Sequence, residues 1–139
     1  MSKADDYKYF TKEEILCPCG QCKEEDVPDS VWYFFYSLDS LRDYLEIPLP
    51  VNSGYRCPDY NAEISATGSR TGSHTTGAAD IRVSGKEAYQ LLSAVLSDTD
   101  PMFFTGVGIK QKGDINGRFI HLDSSLGTDA QPRPWVWTY

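Results

Sequence analysis

Residues 53–83, SGYRCPDYNAEISATGSRTGSHTTGAADIRV, are the stretch on which the reading of this chain turns. They open with Arg56 at the end of an extended piece, then cross a polar loop interrupted by Gly68 and Gly72. The loop delivers His74 and, after a run of small residues, Asp80 at the start of a β-branched strand. Alternation over 79–83 sets Asp80 and Arg82 on one face of that strand and Ile81 and Val83 on the other. The chain has two histidines. The second, His121, stands in RFIHLD (118–123), a strand-like segment that carries Phe119 and Asp123 on the face of His121 and Ile120 and Leu122 on the opposite one.

Toward the N-terminus, Pro48 and Pro50 end a helix and lead into VNSGYR. In that helix Trp32, Phe35, Leu38, Leu41 and Leu45 recur at helical spacing, which predicts an element from near Asp29 to about Leu45 with one apolar stripe in the core. Thr11 and Glu14 form a capping box that opens a short helical turn, stopped by Pro18 and Gly20. Residues 1–10 read as a loosely held polar lead-in. Residues 57–77 read as a long loop with a short helix around 59–64. On the other side, Ser84 with Glu87 starts a helix through Leu91, Leu92, Val95 and Leu96, broken at 98–101. Segments 105–110 and 118–123 flank a turn containing Asp114, Asn116 and Gly117, the pattern of an antiparallel pair. The tail QPRPWVWTY alternates Trp135, Trp137 and Tyr139 against Val136 and Thr138, with Pro132 and Pro134 suited to an edge strand. Trp135 and Trp137 read first as core or sheet-face residues and second as groove-lining ones. The order of elements predicts a small α+β fold, one domain over 1–139, with a mostly antiparallel sheet packed against helices.

A net charge of -7 provides no basic stripe for phosphates, which argues against a nucleic-acid partner and against docking on an acidic membrane. No apolar run is long enough for membrane insertion, and MSKADDYKYF lacks a signal-peptide layout, so the expectation is synthesis in the cytoplasm. Cys17, Cys19 and Cys22 cluster in CPCGQC, and Cys57 follows Arg56. Free thiols, one disulfide and a closed tetrahedral metal site all remain open for these four.

Two imidazoles and a carboxylate leave one corner of a tetrahedral zinc open for water, the arrangement that catalytic zinc requires. His74, Asp80 and His121 are the three residues expected to converge on such an ion. The competing reading makes each histidine an isolated polar group with a satisfied hydrogen bond. Asp123 shares the strand face of His121 and suits either of two roles: general base for the water, or acceptor of the imidazole N–H that fixes the tautomer. Asp114 is the second candidate for the base.

SGYRCPDYN, SHTTGAADI and RFIHLD, in that order, closely resemble the zinc D-alanyl-D-alanine carboxypeptidase family of metallopeptidases, above all its small phage and prophage members. The resemblance implies an α+β fold shared with lysostaphin-type peptidases and the Hedgehog signalling domain. It implies a catalytic Zn2+ held by His74, Asp80 and His121, and hydrolysis of peptidoglycan stem peptides next to D-amino acids, as a D,D-carboxypeptidase or an endolysin-like L,D- or D,D-endopeptidase. Arg56 matches the arginine of the SGYR motif, placed to bind a substrate carboxylate or an oxyanion, with a salt bridge to a nearby carboxylate as the alternative. The family's substrate-contacting serine lies two before the first histidine. Gly72 stands there in this chain, which leaves Ser73 as the candidate. The interval from His74 to Asp80 is one residue shorter than usual, and Arg118 replaces the acid often found three before the last histidine. Those departures keep a zinc-stabilised wall-binding or phage-tail module in play, and a metal-free structural domain beside it. The remaining expectations are a monomer, a peptidoglycan stem peptide as partner, and action on the bacterial cell wall after phage-type release.

Overall fold

The computed structural model describes residues 6–97 and 103–139. The expected break at 98–101 and the first five residues of the lead-in lie outside that range. Among the described residues the chain forms four helices, α1 (Lys12–Ile15), α2 (Asp29–Leu45), α3 (Pro58–Ile64) and α4 (Gly85–Ser97), and five strands, β1 (Val51–Ser53), β2 (Ala78–Ile81), β3 (Gly106–Lys110), β4 (Phe119–Asp123) and β5 (Trp135–Thr138). Three 3-10 turns, Glu24–Asp26, Ser73–Thr75 and Ile115–Gly117, join them. It is a small single-domain α+β structure.

The capping box of α1 forms as expected: Glu14 N–H donates to Thr11 Oγ1 at 3.3 Å, and Thr11 N–H donates to Glu14 Oε1 at 3.2 Å. The second carboxylate oxygen of Glu14 accepts from Val51 N–H at 3.1 Å and so ties α1 to β1. In α2 the buried residues are Val31, Trp32, Phe34, Phe35 and Leu38, while Leu41 and Leu45 are only partly covered. Glu46 ends α2 in the left-handed region with φ 57, and Pro48 follows it.

The lead-in is not loose where it is described. Tyr7 Oη donates to Trp32 O at 2.8 Å, Tyr9 N–H donates to Asp39 Oδ1 at 2.9 Å, and Phe10 is buried against Phe35. Polar neighbours hid this in the sequence, but the aromatic rings of 7–10 bury large areas against α2 and set the path of the chain.

The sheet order is β1-β2-β4-β3-β5, antiparallel throughout except for the parallel pair β3 and β5. The tail therefore forms the edge strand its prolines suggested, although in a parallel pairing that alternation alone cannot distinguish. Register builds a single row across one face: Ser53 opposite Asp80, Asp80 opposite His121, His121 opposite Gly108, Gly108 opposite Trp137. Ala79, Ile81, Val107, Ile120 and Leu122 occupy the other face and join Phe34, Phe35, Leu38, Ala88, Leu91 and Val95 in the core. Of the α4 stripe, Leu91 and Val95 are buried while Leu96 is exposed, since the helix turns only part of that stripe inward. Because strand side chains alternate, burying the apolar face on the helices pushes the polar row outward as a set.

Candidate metal centre

Pairing of Asp80 with His121 on neighbouring antiparallel strands puts their side chains side by side. His74 comes from the 3-10 turn Ser73–Thr75, just before β2. Arg56 N–H donates to His74 O at 2.9 Å, so the SGYR segment is zipped to the turn. The long loop expected over 57–77 is thus divided by α3 and this turn. The shortened interval between His74 and Asp80 does not displace the aspartate. Within that interval Gly77 takes φ 140, a conformation open to glycine, and a Cβ there would lie 3.1 Å from Ser30 O and from Phe34 Cβ.

The tautomers follow from the acceptors. His74 Nδ1 lies 2.8 Å from Gly54 O, and a carbonyl can only accept, so Nδ1 carries the proton and Nε2 keeps its lone pair. His121 Nε2 lies 2.8 Å from the Asp123 carboxylate and donates to it, which directs Nδ1 inward. His74 Nε2 and His121 Nδ1 then face the same oxygen, Asp80 Oδ1, at 3.5 and 3.0 Å. One ligand atom from each of the three residues lies within 4.8 Å of the other two. Two inward-facing imidazole nitrogens around one carboxylate oxygen are a donor set suited to zinc.

Electrostatics agree. In the metal-free protein burial pushes the Asp80 carboxyl up, but the His121 and His74 rings that face it outweigh burial and hold the group well below the usual carboxylate range. For His121, burial lowers the pKa, while hydrogen bonds to Asp123 and Asp80 overcome it and leave the imidazole more basic than usual. The negative field that favours a proton there also favours a cation.

Asp123 has no exposed surface. Besides His121 it accepts a fork from Arg133, Nε to Oδ1 at 2.9 Å and a terminal nitrogen to Oδ2 at 2.7 Å, and Ser125 N–H at 3.2 Å. Burial again pushes its pKa up, and the His121 and Arg133 hydrogen bonds bring it well below the ordinary range. Arg133 also lies over the Trp137 ring, 5.2 Å from its centroid, and Trp137 packs on the His121 imidazole at 5.1 Å.

Arg56 makes the carboxylate contact given as the alternative to a substrate role: a terminal nitrogen lies 3.9 Å from Asp80 Oδ2, and its Nε donates to Ser53 Oγ at 3.0 Å. Ser73 Oγ lies 3.4 Å from His121 Nε2, at the margin of the site. Asp114 is not brought in. It is exposed, and its Oδ1 accepts from Asn116 N–H at 2.8 Å, capping the hairpin turn. A short side chain in a tight turn satisfies its own backbone before it reaches anything distant. Arg118 likewise bonds Gly113 O within the hairpin, at 3.0 and 3.1 Å. Trp135 is exposed and Trp137 half-buried, so the tail tryptophans are not core.

Several contributors went unread in the sequence: Arg133, the contact of Trp137 with His121, the Gly54 carbonyl, and Gly106 and Gly108. The glycine pair was the available signal. A Cβ on Gly106 would fall on the Asp123 carboxylate, and one on Gly108 would come within 2.7 Å of the Trp137 indole. Glycines alternating along a strand mark a face where something else needs the space.

No curated protein and no solved structure matches the chain. The profile of one family, described as Peptidase M15, matches residues 8–123, a span that takes in Arg56, His74, Asp80, His121 and Asp123. Metallopeptidase chemistry, typically zinc-dependent, is the common property of that family and agrees with the donor set described above. With the profile covering most of its length and His74 brought from its turn to Asp80 and His121 on the sheet, the chain belongs to the peptidase M15 family.

Proposed function

We propose that this protein is a zinc-dependent hydrolase of peptidoglycan stem-peptide bonds next to D-amino acids, working as a D,D-carboxypeptidase or an endopeptidase of the endolysin kind. One observation carries the reading: both imidazoles have their outer nitrogen committed to a fixed acceptor, and their inner nitrogens face Asp80 Oδ1. His74, Asp80 and His121 would hold the zinc, which when bound supplies Lewis-acid polarisation of the scissile carbonyl and a more acidic water.

The remaining residues have roles that their contacts suggest. Asp123 positions His121: with both oxygens engaged and no exposed surface, it holds the imidazole tautomer and leaves proton transfer to other groups. Arg56 places a guanidinium beside the carboxylate ligand, where its outer N–H groups can bind a substrate carboxylate or a developing oxyanion. Ser73 and Trp137 both lie against His121, the serine oxygen 3.4 Å from Nε2 and the indole 5.1 Å from the imidazole ring, and are assigned to substrate contact. The protein acts as a monomer on the bacterial wall, without nucleic-acid or membrane partners. Among the described residues no helix is long and apolar enough to cross a membrane.

A second reading has its own support. Arg118 occupies the place of the family's frequent acid, and Asp123 is fully engaged, which favours a wall-binding or tail module with little turnover. Digestion of purified peptidoglycan followed by mass spectrometry of the muropeptides separates the two. Zinc-loaded protein is expected to generate new amine ends that His74→Ala does not. Wall binding without new ends would overturn the peptidase reading and select the binding module.

A further inference from the structure

On the side of the SGYR segment away from His74, four sulfurs meet. Cys17, Cys19 and Cys22 come from the segment after α1, and Cys57 comes from the N-cap of α3. Sγ of Cys17 lies 3.7 Å from Sγ of Cys57, Cys57 lies 3.9 Å from Cys19, and Cys19 lies 3.4 Å from Cys22. All four lie within 4.8 Å of one another, and none is paired in a disulfide.

We propose that these four cysteines bind a second, structural zinc ion, independent of the His74–Asp80–His121 centre. Zinc–thiolate bonds of about 2.3 Å in a tetrahedron set the sulfurs about 3.8 Å apart, close to the spacing found. A disulfide needs about 2.05 Å, well below any of these separations. The backbone is arranged for thiolates as well. Gln21 N–H donates to Cys19 Sγ, Cys57 N–H to Cys17 Sγ, and Tyr60 N–H to Cys57 Sγ, each at 3.4 Å. Gly20, at φ 77, makes the reversal that returns Cys22 toward Cys19. Four thiolates at this spacing repel one another strongly unless a cation sits among them. On binding, each thiol gives its proton to solvent and its lone pair to the metal, without any change of oxidation state.

The site is closed, with protein sulfur at all four corners, so its role is to hold structure. What it holds is relevant to the first centre. Tyr55 N–H donates to Ile15 O at 2.9 Å, Gly54 O accepts from His74, and Arg56 directly precedes Cys57. A zinc joining Cys57 to the CPCGQC segment clamps α1 to the strand end that carries the Gly54 carbonyl and Arg56.

The test is metal content, read separately from peptidase activity. Wild-type protein purified under reducing conditions is expected to carry two zinc ions per chain, and the double variant His74→Ala/His121→Ala to retain one. Cobalt in that variant should show sulfur-to-cobalt charge-transfer absorption, and a mercurial thiol reagent should release one equivalent of zinc. Cys19→Ser/Cys22→Ser should lose the same equivalent. If the serine variant fails to fold, the cobalt spectrum and mercurial release from the histidine variant decide. A folded histidine variant without zinc, four thiols that titrate freely in zinc-loaded protein, or disulfides found by mass spectrometry would each overturn the proposal. Failure of the peptidoglycan assay has no bearing on any of these readouts.

Discussion

His121 shows how much one contact decides. An imidazole has two nitrogens, and only a fixed acceptor at one of them makes the other a dependable ligand. Asp123 provides that acceptor, and Arg133 in turn keeps Asp123 ionised and in place. Replacing Asp123 with alanine removes the acceptor and leaves the nearly buried Arg133 guanidinium without its partner. We expect zinc affinity at the His/Asp/His site to fall about 10- to 100-fold, measured against a chromophoric chelator. Unchanged affinity in a folded variant would remove Asp123 from the positioning role. The support role proposed for Asp123, which spacing alone left open beside a base role, rests on which atoms touch.

Among the elements, the β2 segment and the turn before it carry the narrowest tolerances. His74 and Asp80 belong to different elements, and Gly77 sets the angle between them. At φ 140 a side chain at that residue is strained whatever space surrounds it, and Ser30 O, Phe34 and Ser124 leave little. Gly77→Ala is expected to destabilise the protein by about 1–3 kcal/mol, the usual cost of a non-glycine residue held in such a region. It should also weaken zinc binding, because relief of strain rotates the turn that carries His74. Urea unfolding with and without zinc measures both effects. An alanine variant as stable as wild type would contradict the assignment of strain to this position. The β3 glycines follow the same logic in reverse, since they leave space for neighbours to fill.

Taken as a whole, the molecule stores ionic interactions that depend on pH. Asp80 and Asp123 have folded-state pKa values below those of the unfolded chain. Their contribution is therefore complete above the ordinary aspartate range and is lost as pH falls through it toward the folded values. Metal-free protein should show urea midpoints that decline steadily below about pH 4, the neighbourhood of an unperturbed aspartate. His121 has the opposite sign. Its raised pKa stabilises the metal-free fold below about pH 6.5, and that contribution disappears as pH rises through the folded value. A midpoint insensitive to acid in the metal-free protein would contradict the ion-pair network. Zinc loading should fade on acidification as well, because protons compete for the same nitrogens.

Local chemistry made much of this legible in advance. The Thr11 capping box, the α2 stripe and the antiparallel pair of β3 and β4 all rest on interactions between residues near one another in the chain, and the edge position of the tail was signalled by its own prolines. Periodicity and capping express such interactions directly. The three candidate ligands were legible because two histidines and an aspartate stood in motifs of the right types and order, and the structure groups them. Contacts between distant segments were another matter. That Arg133 forks onto Asp123, that Gly54 orients His74, that β5 runs parallel to β3 and that Cys57 meets the CPCGQC segment depend on which strands become neighbours and in what register. Register is settled by burying one whole sheet face against α2 and α4, and no local pattern encodes that choice.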